Sequence, residues 1–167
     1  MIISLAIFTG CNNDSRNVAI GTKNKLMETA SSESTDTTDW KPTLNDIVNN
    51  FDGVTMSVKN GTVSSTKLTV VFENKSSSNC IYGEEFWLEK KINDKWYRVP
   101  VAIDGNYGFN SIGYDLSSGG ESEWKVDWEW LYGKLETGEY RIVKRIMDFR
   151  GTGDYDTYIL AAEFQYK

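Results

Sequence analysis

The stretch from Glu123 to Phe149 constrains this chain more than any other. Trp124, Val126 and Trp128 alternate with Glu123, Lys125, Asp127 and Glu129. A period of two marks a strand with one buried face, because successive side chains of an extended backbone point to opposite sides. An aromatic corner follows, and Leu135, Gly138 and Tyr140 then lead into a second strand that carries Ile142. The centre of the chain is therefore two strands joined by an aromatic corner.

At 167 residues there is room for one domain and a tail. Six Trp and nine Tyr can build a core without disulfides. The net charge of −6, with no basic cluster, argues against nucleic acid as a partner. The sequence has no histidine. That removes the commonest general base, the usual Ser-His and Cys-His nucleophile pairs and the commonest zinc ligand. No catalytic residues and no cofactor are expected.

Residues Met1 to Phe8 are nearly all apolar and run into Thr9-Gly10-Cys11. Small residues before a cysteine, after an apolar run, resemble the lipobox of bacterial lipoproteins. The resemblance implies a diacylglyceryl group on the sulfur of Cys11 and cleavage just before it. Two acyl chains, at about 0.8 kcal/mol per buried CH₂, hold a protein firmly on a membrane. Phe8 stands where that family usually has Leu, and the basic residues that open such a signal are missing, so the true start is expected upstream of Met1. Residues 1–11 are then a signal peptide, 12–40 a disordered linker rich in Ser, Thr, Asn and Asp, and 41–167 the folded domain.

Leu44, Ile47, Val48 and Phe51 fall at helical spacing, with Thr43 as N-cap after Pro42, which predicts one short helix at the edge of the domain. From Val54 onward strand follows strand. Val54, Met56 and Val58 alternate with polar residues, as do Leu68, Val70 and Phe72. A short strand is expected near Ile112 to Leu116 within the Gly-rich stretch 105–120. In the last strand Tyr158, Leu160, Ala162, Phe164 and Tyr166 share a face. About seven antiparallel strands separated by turns make an all-β fold, read as a β-sandwich.

Phe72-Glu-Asn74, Tyr82-Gly-Glu84, Leu88 to Lys91, Lys95-Trp-Tyr97, the run Trp124 to Lys144 and Asp148-Phe-Arg-Gly151 together resemble the bacterial Ig-like domain of Gram-positive lipoproteins. The resemblance covers residues 54–166, and its most specific part is Asp127 to Gly133 followed by Gly138-Glu-Tyr140-Arg. It implies an extracytoplasmic immunoglobulin-like β-sandwich and carries over no catalytic residue. Leu135, Gly138 and Tyr140 also resemble the tyrosine corner of such sandwiches, which implies an inward ring whose hydroxyl bonds back to the chain upstream.

Asn93-Asp94 is a turn dipeptide. A two-residue turn there sets Lys91 opposite Trp96, Glu89 opposite Arg98 and Leu88 opposite Val99. Trp87, Glu89, Lys91, Trp96 and Arg98 then share the face away from the core. Two readings stand: a partner-binding surface of Trp87, Trp96, Arg98 and Lys91, or a face covered by another segment such as the Trp40 region. The expected partner is a cell-envelope protein or surface ligand, met at the outer face of the cell membrane by a lipid-anchored module. Carbohydrate recognition through Trp and Tyr rings is the alternative, and a small hydrolase ranks last. Asp148, Asp154 and Asp156, in the loop between the last two strands, are a weak calcium candidate set against an ordinary turn in which Arg150 pairs with them. The carboxylate pairs Glu84-Glu85, Glu121/Glu123 and Asp127/Glu129 read as solvated edges, and Cys80 as a single, partly buried thiol.

Overall fold

The structure, a computed structural model, describes residues 40–167. The expected signal peptide, Cys11 and the linker up to residue 39 lie outside the described residues. Strands β1 (Val54–Val58), β2 (Lys67–Asn74) and β7 (Glu121–Asp127) form a three-stranded antiparallel sheet in the order β1-β2-β7. The larger sheet holds β3 (Cys80–Gly83), β4 (Trp87–Ile92), β5 (Lys95–Arg98), β6 (Gly113–Leu116), β8 (Gly138–Gly151) and β9 (Asp154–Tyr166). The sheets are antiparallel throughout, as expected of an immunoglobulin-like sandwich.

The aromatic corner, a four-residue helix α1 (Glu129–Tyr132), carries the chain from the small sheet to the large one. Trp124, Val126 and Trp128 turn inward with Phe72, Tyr82, Leu88, Ile142, Ile146 and Leu160. Each such side chain contributes about 1.5–3 kcal/mol on leaving water. The tyrosine corner is present: Tyr140 is buried and its hydroxyl donates to the carbonyl of Glu136 (2.9 Å). Leu135 is buried beside it, and a Cβ on Gly138 would approach the Tyr140 ring to 3.3 Å.

β8 is long enough to pair two strands along one edge. Tyr140 to Val143 pair with β4, and Ile146 to Asp148 pair with β3, while β9 runs along the other edge. The strand beside β8 is thus interrupted between Gly83 and Trp87. β6 stands where a short strand was expected near Ile112 to Leu116, whereas β3, beyond the interruption, was not expected, and the count is nine against about seven.

The expected helix over 40–51 is corrected: the segment is a non-helical strap that pairs with β5 around Pro42 and bends repeatedly from Leu44 onward. Arg98 N–H donates to Lys41 O (2.8 Å) and Thr43 N–H to Trp96 O (3.0 Å), with Pro42 bridging Tyr97. These bonds commit the backbone to the edge of β5, where a helix would have used the same groups internally. Leu44 and Ile47, the stripe expected to be buried, are 78% and 70% exposed. Phe51 is buried, stacked on Tyr158 at 4.2 Å. Trp40, where the linker was expected to end, lies with its ring 5.9 Å from the Lys90 ammonium.

Candidate functional site

The β4–β5 hairpin pairs in the register that its turn dipeptide predicts. Asn93 and Asp94 adopt φ of 50° and 60°, the left-handed pair of a type I′ turn. Glu89 then pairs with Arg98, Lys91 with Trp96 and Ile92 with Lys95. Trp87, Glu89 and Lys91 project to the outer face, as do Arg141, Val143 and Arg145 of the adjoining β8.

The outer face is partly roofed by the strap. Glu89 is 0% exposed and Arg141 opposite it is 5% exposed, so over this part of the face the reading of cover by the segment after Trp40 holds. Arg141 Nε donates to Glu89 Oε2 (2.6 Å), and Nη2 reaches Thr43 Oγ1 (3.2 Å) and Asn45 O (3.3 Å). Thr43 Oγ1 donates to Glu89 Oε1 (2.6 Å) and accepts Asn45 N–H (3.0 Å). The residue expected to cap a helix therefore ties the strap to a buried ion pair.

Above this pair the half-buried Trp96 ring lies 4.6 Å from the Arg141 guanidinium and 6.0 Å from the Lys91 ammonium. Half-buried Trp87 lies 5.7 Å from the guanidinium of Arg145, which pairs with Glu85 (3.0 Å). A cleft of about 460 Å³ opens between strap and hairpin, lined by Thr43, Asp46, Lys95, Trp96 and Arg141 among others. On the other side of the strap a smaller hollow of about 190 Å³ is bounded by Leu44, Glu85, Trp87, Arg98 and Arg145. The structure thus puts Trp96 at one opening and Trp87 with Arg98 at the other, with Leu44 standing clear between them.

Residues 50–165 match the family model described as bacterial Ig-like domain. The chain belongs to that family. No curated protein matches it.

Elsewhere in this Ig-like domain, β8 runs on to Gly151 and β9 begins at Asp154, so Asp148 and Asp156 sit on paired strands and not in a loop. They face each other directly, and Arg150 neutralises them. It donates to Asp148 (2.8 Å), Asp154 (2.9 Å) and Asp156 (2.9 Å). A guanidinium occupies the position that a cation would need. Of the carboxylate pairs, Glu85 is bound to Arg145, Glu84 accepts the Tyr114 hydroxyl and Glu123 pairs with Lys59 (2.5 Å). Cys80 is a buried free thiol. Burial and then nearby Asp148 push it up to about 11, so it stays protonated and a poor nucleophile at neutral pH.

Three features were not named as sites from the sequence. Arg141 and Thr43 complete the Glu89 pair. Trp130 on α1 joins Tyr107 and Phe109 in an edge-to-face ring cluster at 5.7–6.4 Å, with Trp130 and Tyr107 exposed. Lys144, fully buried on the core face, donates to Gly83 O (2.6 Å) and Glu85 O (3.1 Å) beneath the Trp124 ring (3.5 Å). Only the ring cluster gave a sequence signal, through aromatic density.

Proposed function

We propose that this Ig-like domain is a membrane-tethered, extracytoplasmic interaction module without catalytic activity, and that Trp87, Trp96, Arg98 and Lys91 meet its partner. The partner is a cell-envelope protein or surface ligand. One observation supports the reading above the others: two half-buried tryptophans, each beside a cation, flank the openings on either side of the strap. Trp and Arg in partly desolvated hollows are the residues that most often dominate binding energy. The paired carboxylates, the protonated Cys80 and the absence of histidine support the non-catalytic reading.

Envelope extract passed over wild-type and Trp87→Ala domains tests the partner face. A protein retained by the wild type and lost by a folded Trp87→Ala supports it, and equal retention places the site elsewhere. Tethering is read separately. The full-length precursor expressed in its own host should partition into detergent and Cys11→Ala should not; equal partitioning would remove the anchor from this reading.

Carbohydrate recognition is the second reading, favoured by the exposed rings of Tyr107 and Trp130. Binding on a glycan array that Trp130→Ala abolishes and Trp87→Ala spares would replace the first reading with this one.

A further inference from the structure

The β4–β5 register sets Glu89 opposite Arg98, yet the two form no ion pair. Both oxygens of Glu89 are engaged elsewhere, Oε2 by Arg141 (2.6 Å) and Oε1 by Thr43 (2.6 Å). Glu85, which shares the hollow beside Trp87 with Arg98, is held by Arg145 (3.0 Å). Arg141, Arg145 and Arg150 all meet carboxylates, so among the described residues Arg98 is the one arginine in no ion pair.

On its other side Arg98 faces a second cation. Pro42 bridges Tyr97 in the antiparallel sense, Arg98 N–H donates to Lys41 O (2.8 Å) and Thr43 N–H donates to Trp96 O (3.0 Å). That pattern sets Lys41 directly opposite Arg98, with both side chains on one face. Like charges directly opposite each other disfavour the pairing that holds them. Lys41 is exposed and likewise in no ion pair among the described residues. The chain as a whole carries a net charge of −6, yet no carboxylate lines the space that these two cations share.

Lys41 and Arg98 open on a hollow of about 310 Å³ whose other walls are Val99, Pro100, Val101 and Tyr107. Its apolar side is held in place. Val99 N–H donates to Leu88 O (2.9 Å) and Ala102 N–H to Leu131 O (2.8 Å). The Tyr107 ring packs edge-to-face on Phe109 (6.1 Å) and Trp130 (6.4 Å). We propose that this hollow binds an oxyanion, carboxylate or phosphate, carried on an apolar body. The guanidinium fork of Arg98 takes two oxygens of the group and Lys41 adds a point charge. Pro100 and Tyr107 cover the apolar part. The bound anion removes the repulsion between Lys41 and Arg98, which gives the site its preference for a charged ligand over a neutral one. Arg98 is common to this hollow and to the partner face proposed above, but Trp87 and Trp96 do not line it, so the two readings fail separately.

The test titrates the isotope-labelled full chain with phenylacetate, with phenyl phosphate and with neutral phenylacetamide. At least one oxyanion should shift the amide resonances of Arg98, Val101 and Tyr107, and the neutral analogue should bind about tenfold or more weakly. The tighter of the two oxyanions names the group. Arg98→Gln leaves the main-chain bond to Lys41 in place and should weaken oxyanion binding about tenfold or more. Lys125→Gln, the same change of charge on the exposed face of β7, should leave it unchanged. If Arg98→Gln does not fold, Lys41→Gln replaces it with the same direction of loss. Three results overturn the proposal: no shift at these amides with either oxyanion, phenylacetamide binding as tightly as the oxyanions, or an equal loss in Lys125→Gln, which would mark a response to overall charge.

Discussion

Arg141 and Lys144 are two buried cations on one strand, projecting to opposite faces of β8. Arg141 faces outward beneath the strap and meets a carboxylate that register places directly opposite, Glu89 at 2.6 Å. Lys144 faces the core and bonds two carbonyls and an indole face, with no carboxylate in contact. Burial pushes its ammonium down to about 7, while Glu84 and Glu85 pull it the other way. The difference lies in the neighbouring strand. β4 runs alongside Arg141 and supplies a partner, whereas at Lys144 the neighbour is broken between Gly83 and Trp87 and turns its carbonyls inward. Continuous pairing suits a guanidinium fork, and a gap in pairing suits a compact ammonium with rotatable donors.

The largest effect expected is from Glu89→Ala. It leaves Arg141 buried and without its carboxylate, a change that typically costs about 3–5 kcal/mol. Denaturant melts at unchanged m-value measure it. A loss below about 1 kcal/mol would mean that water reaches the guanidinium once Glu89 is gone, and the pair would rank as a surface one.

The Lys144 side of the comparison is read through pH. Its folded pKa, about 7, lies below the unfolded value near 10.5. Between those values the unfolded chain binds more protons, so stability rises with pH. The penalty for a charged Lys144 is fully present below pH 7 and lifts above it. Between pH 7 and 9.5 the domain should gain up to about 3 kcal/mol from this group. Lys144→Met should flatten that rise. It should also destabilise by about 1–3 kcal/mol at pH 9.5, because the carbonyls of Gly83 and Glu85 lose their donor. A slope that survives in Lys144→Met belongs to another group.

How far these features were legible differs with how local their causes are. Trp124, Val126, Trp128 and Tyr140 could be placed inward because strand periodicity and a short corner motif are local. The shared face of Trp87, Lys91, Trp96 and Arg98 followed from a two-residue turn for the same reason. Whether that face was covered could not be decided in the same way, because the cover on Glu89 comes from Thr43, 46 positions earlier. The strap itself was misread because Leu44, Ile47, Val48 and Phe51 imitate a helix stripe, while pairing with β5 decides the backbone. Lys144 reads as surface in any composition argument. Nothing near it in sequence reports that its neighbouring strand breaks at Gly83.

The smallest effect separates the carboxylate from its cover. Thr43→Val keeps the side-chain shape and removes the hydroxyl. Glu89 loses the donor on Oε1 (2.6 Å) but keeps Arg141 on Oε2 (2.6 Å), so the ion pair persists. Asn45 N–H and Arg141 Nη2 each lose an acceptor, although Nη2 retains Asn45 O (3.3 Å). The strap stays attached through main-chain bonds that do not involve the hydroxyl, Thr43 N–H to Trp96 O and Arg98 N–H to Lys41 O. The expected loss is about 1–2 kcal/mol, that of one hydrogen bond to a charged group, with faster amide exchange at Asn45 and unchanged exchange at Arg98. A loss as large as that of Glu89→Ala would show that the strap, and not the carboxylate opposite, keeps Arg141 dry and paired. The contrast with Lys144 would then rest on cover instead of strand register.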